Sequence, residues 1–420
     1  MFPFPPQPDS NEKWIVPVDE GLECEQQYWK CLSIYKVPPY ITDLNPNAYQ
    51  PQVISFGPYH HNEFRLHPME GHKHRALLHF LKRSGKSFEC FLESLKKVVR
   101  ELEGSYESLD LKWKECTGDQ FLKLMITDGY FTLEIMRTAT KNNDYASNDP
   151  IFSVHRLNYI VPYMLFAIED DGREHRHNST RIQCADFNPT TQDDIVDDVN
   201  KLILKFYYPD RNINVLGRCL RVMDVFRKGL LMEPSEGRPL RKNVRAEATE
   251  KTEPIIRSAT ELNRAWIRLR KTNSLKDIFF ASGVLKLPVI KVEVATESLF
   301  LNAMMFERLH IGAGNEVTSY VTFMDKIINN EEDVALLRAQ DIIHNDTRSD
   351  EAVVKLFNSL CREVMLPSNS SLNAVQESIN EYCYKRRTKW LCGLSDYLAY
   401  FNTPWATLSL IFTIILSFLP

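Results

Sequence analysis

The stretch Phe121–Met136, FLKLMITDGYFTLEIM, is apolar on nearly every side of a helix, which is typical of a helix buried in a core. The preceding segment Phe88–Leu102 carries apolar residues at steps of three and four, as does Ile195–Phe206 further along the chain. Four aspartates at 193, 194, 197 and 198 open that later helix, where the helix dipole favours negative charge. These patterns predict a mainly α fold, a multi-helix globular body.

The N-terminal part of the chain interrupts this helical pattern. We predict a leader and first helix over residues 1–30 and an N-terminal helical lobe over residues 31–232. Prolines at 38, 39, 46, 51 and 58 exclude a continuous helix from residue 31 to the late sixties. We therefore expect an extended, turn-rich cap with short strand pieces, called here the proline-rich cap (residues 37–61), followed by a helix over Met69–Leu81.

A second lobe follows a change in composition. Residues 233–254 are rich in Pro, Gly, Arg, Lys and Glu, which predicts a solvated linker. Residues 255–367 form the predicted C-terminal lobe, opening with a helix marked by Ile255, Ala259, Leu262, Trp266 and Leu269. In this lobe Leu285–Val294 favours one or two strands of a small β-hairpin element. Residues 368–397 are predicted to be a connecting helix that carries a basic collar.

Residues 398–420, LAYFNTPWATLSLIFTIILSFLP, form a predicted C-terminal hydrophobic helix that acts as a membrane anchor. Trp405–Leu419 contains no charged residue, and Pro404 suits the first turn of a helix. Pro404–Leu419 would rise about 24 Å, somewhat less than the roughly 30 Å hydrocarbon core. The residues assigned to the anchor are Pro404, Trp405, Leu408, Leu410, Ile411, Phe412, Ile414, Ile415, Leu416, Phe418 and Leu419. A soluble helical protein with this tail buried in its own core is the alternative.

The basic collar precedes the anchor and consists of Lys385, Arg386, Arg387 and Lys389. Positive charge beside a membrane helix favours the cytosolic side. The first residues also lack the basic and apolar regions of a signal peptide. We therefore expect a single-pass protein of the plasma membrane or an endomembrane, with its body on the cytosolic side.

The charge balance and the cysteine pattern argue against some classes of partner and site. The chain has 51 basic and 55 acidic residues, and this balance argues against nucleic acid as a partner. Its nine cysteines are dispersed with no Cys-x-x-Cys pair, which is typical of reduced thiols rather than of disulfides or a zinc site.

Two groups of residues invite a catalytic or metal-binding interpretation. Six histidines lie at 60, 61, 67, 72, 74 and 79, but no helical pair has the i, i+4 spacing that converges on one metal. Asp128 lies inside an apolar helix, where an aspartate more often bonds a neighbouring backbone group than acts as an acid. Phosphate-binding loops and nucleophile elbows do not occur. We predict no catalytic residue, cofactor or metal; an enzyme of unknown type that uses the histidine-rich cap or Asp128 is the alternative.

A set of ordered motifs runs along nearly the whole chain. They include Ile34-Tyr35-Lys36-Val37-Pro38, Ala48-Tyr49-Gln50-Pro51, Ile54-Ser55-Phe56-Gly57-Pro58-Tyr59-His60-His61, Met69-Glu70-Gly71-His72-Lys73, Asp128-Gly129-Tyr130-Phe131, Ala259-Thr260-Glu261-Leu262, Thr296-Glu297, Asp333-Val334 and Tyr400-Phe401-Asn402-Thr403-Pro404-Trp405. In these motifs and their order the chain resembles the plant family called domain of unknown function 247.

This resemblance implies a mostly helical, membrane-anchored plant protein without an established enzymatic activity. Some members of the family are associated with pollen–stigma self-incompatibility in grasses, which implies recognition or signalling. The function expected from sequence is therefore that of a non-enzymatic membrane-anchored protein that acts through contacts with an unknown protein partner.

Overall fold

The computed structural model describes residues 32–114, 119–140, 145, 149–151, 192–209, 219, 222–232, 258–347, 349–362 and 372–386. The predicted leader (1–30), the linker (233–254) and the anchor (398–420) lie outside these residues. Arg387 and Lys389 of the basic collar lie outside them as well.

The described residues are mainly helical, as the sequence predicts. The helices are α1 Pro39–Thr42, α2 Pro46–Tyr49, α3 Glu70–Ser84, α4 Phe88–Lys96, α5 Val99–Gly104, α6 Leu111–Lys114, α7 Gln120–Thr140, α8 Gln192–Tyr207, α9 Val222–Leu231, α10 Ala259–Arg264, α11 Thr296–Leu309, α12 Glu316–Ile327, α13 Glu331–Ala339, α14 Asp350–Arg362 and α15, residues 373–386. Single 3₁₀ segments lie at Phe64–Met69 and Leu275–Asp277.

The strands are β1 Arg268–Thr272, β2 Phe279–Ala281, β3 Val284–Pro288, β4 Ile290–Val292 and β5 Ile343–Asn345. In a three-stranded sheet of order β1-β3-β2, β1 runs parallel to β3 and β2 runs antiparallel to it. The strands β4 and β5 form a separate parallel pair.

These residues form two compact units. The first comprises the described residues up to 209, then 219, 222–226 and 305–313; the second comprises 227–232, 258–304 and the described residues from 314 onward. The boundaries predicted at 31, 233, 255, 368 and 398 stay predictions.

In the first unit, α7 is the central element, and α3, α4 and α8 pack against it. The side chains of Phe131, Ile135 and Met136 are fully buried. The rings of Phe80 and Tyr130 stack with centroids 3.8 Å apart between α3 and α7. The prediction of a buried helix over Phe121–Met136 is therefore confirmed.

The proline-rich cap differs from its prediction. Two one-turn helices, α1 and α2, replace the expected strand pieces, because Pro39 and Pro46 each occupy a first helical turn, where a missing N–H costs nothing. Within residues 32–69 the β-structure consists of a single bridge between Ile34 and Tyr106. The prediction of short strands in the cap is wrong, whereas that of the helix after it is confirmed by α3.

In the second unit, the one or two strands predicted over Leu285–Val294 are present as β3 and β4, but the hairpin pairs β3 with the preceding strand β2. It joins β2 to β3 through Ser282 and Gly283, whose φ angles are +51° and +74°. A two-residue turn with positive φ at both positions matches the twist of the flanking strands. The predicted segment Leu285–Val294 instead divides between β3 and β4, which belong to different sheets.

The helix predicted from Ile255 to Leu269 is too long at its C-terminal end. The side chain of Ser258 caps α10 by accepting a hydrogen bond from the Glu261 N–H, and the helix ends at Arg264. Trp266 then takes a φ of +64°, and Leu269 lies in β1. Apolar residues keep the helical spacing beyond Arg264, but Trp266 lies in a turn and Leu269 in a strand.

Candidate functional site

The candidate site lies where the proline-rich cap meets α3 and α7. Asp128, near the middle of α7, is buried, and its Oδ2 accepts a hydrogen bond from the Gly57 N–H at 2.7 Å. Gly57 has a φ of +70°, and a Cβ there would lie 3.2 Å from the hydroxyl of Tyr106. Glycine at this position therefore permits the turn that presents the N–H to Asp128. Asp128 therefore bonds a backbone group, but the prediction of a neighbouring one is wrong, because Gly57 lies 71 residues away in the chain.

A buried lysine completes the site. Lys73 on α3 is fully buried, and its Nζ lies 2.7 Å from Asp128 Oδ1 and 2.9 Å from Glu70 Oε1. Glu70 and Lys73 are three residues apart, which places them on neighbouring positions of one helix face. The ammonium group thus bridges a carboxylate of its own helix and a carboxylate of α7.

The cap supplies the remaining contacts. The hydroxyl of Ser55 donates to Glu70 Oε1 at 3.1 Å and lies 3.4 Å from Lys73 Nζ. Lys73 Nζ also lies 5.3 Å from the centre of the Phe56 ring. We call Ser55, Gly57, Glu70, Lys73 and Asp128 the lysine–carboxylate cluster. Its hydrogen bonds attach the cap to two helices of the first unit.

Burial sets the electrostatics of the lysine–carboxylate cluster. Removal from water raises the pKa of Asp128 to about 6, although the ammonium of Lys73 and the N–H of Gly57 both act to lower it. A carboxyl group in such surroundings favours its protonated form more than it does in the unfolded chain. Because Asp128 therefore binds its proton more tightly in the folded state, the stability of the fold depends on pH.

This pH dependence gives a first prediction. Asp128 is protonated in both states below about pH 4, and it ionises at a higher pH in the folded state. Its contribution to the free energy of unfolding should fall by up to about 3 kcal/mol as pH rises from about 4 to about 6. Urea unfolding of the natural chain and of Asp128→Asn across this range measures the difference. If the natural chain instead gained stability relative to Asp128→Asn as pH rises, the attraction of Asp128 to Lys73 would outweigh the cost of its burial.

The histidines near the cap do not converge. In the described part of the chain no group of three His, Cys, Asp or Glu side chains is placed to hold a metal ion. Their contacts are separate: His60 with Glu63, His61 with Trp113, His67 with Phe64, His74 with the Glu70 carbonyl, and His79 with Tyr145.

Sequence reasoning named Lys73, Glu70 and Ser55 only as parts of a family motif and gave them no role. A signal was present, because Lys73 lies four and seven residues before Leu77 and Phe80 and so shares the buried face of α3. A lysine on an apolar face and an aspartate inside an apolar helix each need an oppositely charged partner. Together they predict the pair that the structure contains.

A second carboxylate joins two other motifs in the second unit. Asp333 Oδ1 accepts from the N–H and the hydroxyl of Thr260, both at 2.8 Å, and Oδ2 accepts from the N–H groups of Asn329 and Asn330. Its side chain thus connects the start of α10 to the start of α13. Like Asp128, Asp333 is a buried acid that accepts hydrogen bonds from backbone N–H groups of other segments.

Of the basic collar, Lys385 and Arg386 lie at the end of α15. Lys385 pairs with Glu381, and the Arg386 guanidinium lies 5.5 Å from the ring centre of Trp266. Every residue assigned to the membrane anchor lies outside the described residues.

The chain is similar to plant proteins along most of its length. A family model described as "Plant protein of unknown function", DUF247, matches residues 34–172 and 173–419. UPF0481 protein At3g47200 of Arabidopsis thaliana is 29% identical over an alignment covering 92% of this chain and 84% of the relative. Putative UPF0481 protein At3g02645 of the same plant is 22% identical, covering 91% and 88%. No solved structure matches the chain.

Proposed function

The chain belongs to the plant DUF247 family, and we propose that it is a non-enzymatic protein held at a membrane by residues 398–420. Its body lies on the cytosolic side of the plasma membrane or an endomembrane. It acts by presenting a fixed surface to another protein, in recognition or signalling.

The observation that carries the non-enzymatic part is the closure of the lysine–carboxylate cluster. Lys73 has no exposed surface and Asp128 retains 2%. Both Asp128 oxygens accept hydrogen bonds from within the protein, one from Lys73 and one from Gly57. A general acid or a nucleophile must reach its substrate within hydrogen-bond distance. These side chains reach the cap instead, and their arrangement suits attachment rather than catalysis.

The surface that this attachment holds in place carries exposed apolar side chains. Tyr40 and Leu44 on the cap are 59% and 63% exposed, and Phe64, just after the cap, is 88% exposed. Tyr40 is itself oriented by Arg308, whose Nη2 donates to the tyrosine hydroxyl at 3.0 Å. Aromatic groups on a pre-formed surface are favoured at protein interfaces, because little entropy is lost when they are covered. This supports a protein as the partner.

The membrane part of the proposal depends on the sequence of the tail. Trp405–Leu419 is uncharged and follows the basic collar. None of the helices in the described ranges is long and apolar enough to cross a bilayer. Residues 398–420 have the composition of an anchoring segment.

Fractionation tests the anchor. We expect a tagged full chain in plant cells to stay with the membrane pellet after alkaline carbonate extraction. Removing residues 398–420 should move it almost entirely to the supernatant, because the apolar tail supplies the binding energy. Added protease should digest the body on intact microsomes. Release of the full chain by carbonate, or protection of the body from protease, would contradict the proposal.

A further inference from the structure

One face of the three-stranded sheet in the second unit is exposed and basic. Side chains alternate along each strand, and Leu269, Leu285 and Leu287 are buried on one face. The opposite face carries Arg268 and Arg270 from β1, with Lys286 directly beside Arg270 in the register of β1 and β3. Both arginines are exposed and Lys286 is half-buried.

These three cations are not neutralised within the described part of the chain, where none of them forms an ion pair with a carboxylate. Lys271, one residue further along β1, instead pairs with Asp341 at 3.1 Å. Lys286 Nζ lies 4.8 Å from the centre of the Phe279 ring, the residue opposite it in β2. The face therefore combines positive charge with an apolar surface beneath it.

An exposed tryptophan lies at the end of this sheet. Trp266 is 72% exposed and precedes β1 by two residues. The Arg386 guanidinium lies 5.5 Å from its ring centre, and Arg386 Nη1 donates to the Tyr382 hydroxyl at 3.0 Å. We call Trp266, Arg268, Arg270, Lys286 and Arg386 the basic face.

The helix that leads to the tail is fixed against the same end of the sheet. The ring of Tyr382 on α15 packs against that of Phe280 with centroids 5.3 Å apart. A Cβ on Gly283, in the β2–β3 turn, would lie 2.7 Å from the Tyr382 hydroxyl, so glycine here lets Tyr382 approach the turn closely. Residues 387–420 follow directly from α15, which joins the basic face to the proposed anchor.

We propose that the basic face docks on the anionic lipid headgroups of the membrane that the tail enters. Tryptophan is favoured at the headgroup level of a bilayer, and clustered Lys and Arg next to a membrane segment are attracted to anionic lipid. Chain continuity favours lipid over nucleic acid, since α15, the helix that precedes the tail in the chain, ends with Arg386 beside Trp266. The inference rests on the proposed function, because the anchor brings the face to the bilayer.

Vesicle binding of the full chain tests the inference. Neutral phosphatidylcholine vesicles report the anchor alone, and vesicles with about 30% phosphatidylserine add the attraction of the basic face. Each cation near the surface contributes roughly fivefold, so we expect Arg268→Gln/Arg270→Gln/Lys286→Gln to lose up to about 100-fold of the gain on anionic vesicles. Its binding to neutral vesicles should stay unchanged. The gain of the natural chain should shrink as salt rises from about 0.1 M to about 0.5 M.

A matched control separates the position of the charges from their number. Lys326, Lys355 and Arg362 are exposed cations of the same unit, and changing all three to glutamine should leave the anionic gain intact. The variant Arg268→Lys/Arg270→Lys/Lys286→Arg keeps the charge and should bind like the natural chain. Equal losses in the two glutamine variants, or no loss in the first, would overturn the inference. Absent binding to neutral vesicles would instead contradict the anchor.

Discussion

Replacing Asp128 by alanine is expected to lower the free energy of unfolding by about 3–5 kcal/mol, the range for a buried ion pair that loses one partner. The substitution leaves the Lys73 ammonium buried without its closest carboxylate, since the 2.7 Å contact is lost. It also removes the acceptor of the Gly57 N–H. The Gly57 N–H then carries a desolvation cost that nothing offsets, and Lys73 keeps only Glu70 and Ser55 as partners.

Urea unfolding near neutral pH measures this loss, and two variants interpret it. Asp110 is an exposed aspartate of the same unit, 3.7 Å from Lys112, and Asp110→Ala should cost less than about 1 kcal/mol. The double variant Lys73→Met/Asp128→Leu removes both charges and should recover much of the loss, because a buried pair is often replaceable by apolar side chains. A cost for Asp128→Ala no larger than that for Asp110→Ala would show that the cluster does not hold the cap.

The contacts of the lysine–carboxylate cluster were only partly predictable from sequence. The apolar run around Asp128 placed it in a buried helix, and that setting requires a partner. The partners themselves lie 55 and 71 residues away in the chain, at Lys73 and Gly57. Periodicity reports only which residues share a face of one element. It does not report which two elements meet.

The strands show the same limit. β1 reads Arg-Leu-Arg-Lys-Thr, and its single large apolar residue, Leu269, continued the apolar spacing of the predicted helix. Its conformation is set by pairing with β3, whose leucines are buried. Tertiary pairing of this kind overrides local preference. Arg268, Arg270 and Lys286 of the basic face lie on such strands, and a search for apolar patterns does not detect them.

Helix boundaries depended on local detail as well. The stripe from Phe88 to Leu102 predicted one helix, but the structure divides it into α4 and α5 around Lys97 and Val98. Val98 takes a φ of −116°, outside the helical range, while the apolar spacing continues in the next helix. A break of two residues changes the spacing of the apolar positions too little to be recognised in the sequence.

Replacing Asp333 by alanine is expected to have the second largest effect, a loss of about 2–4 kcal/mol. Its carboxylate accepts hydrogen bonds from Thr260, Asn329 and Asn330, and it forms a reciprocal capping box with Asn330. Removing a cap typically costs about 1 kcal/mol, and each buried donor left without an acceptor adds about 1–3 kcal/mol. Asp333→Asn keeps one acceptor oxygen and should cost less than alanine. Urea unfolding of both variants measures the difference.

The pH dependence at Asp333 should have the opposite sign to that at Asp128. Burial acts to raise the pKa of Asp333, but the hydrogen bonds from Thr260 and Asn329 outweigh it, and the pKa lies below its usual 3.8. A depressed pKa contributes stability that is present above about pH 4 and is lost as pH falls through the folded-state value. The cost of Asp333→Ala should therefore be full near pH 7 and smaller near about pH 3. A cost that does not change with pH would mean that the charge of this carboxylate contributes nothing, and that its hydrogen bonds alone join α10 to α13.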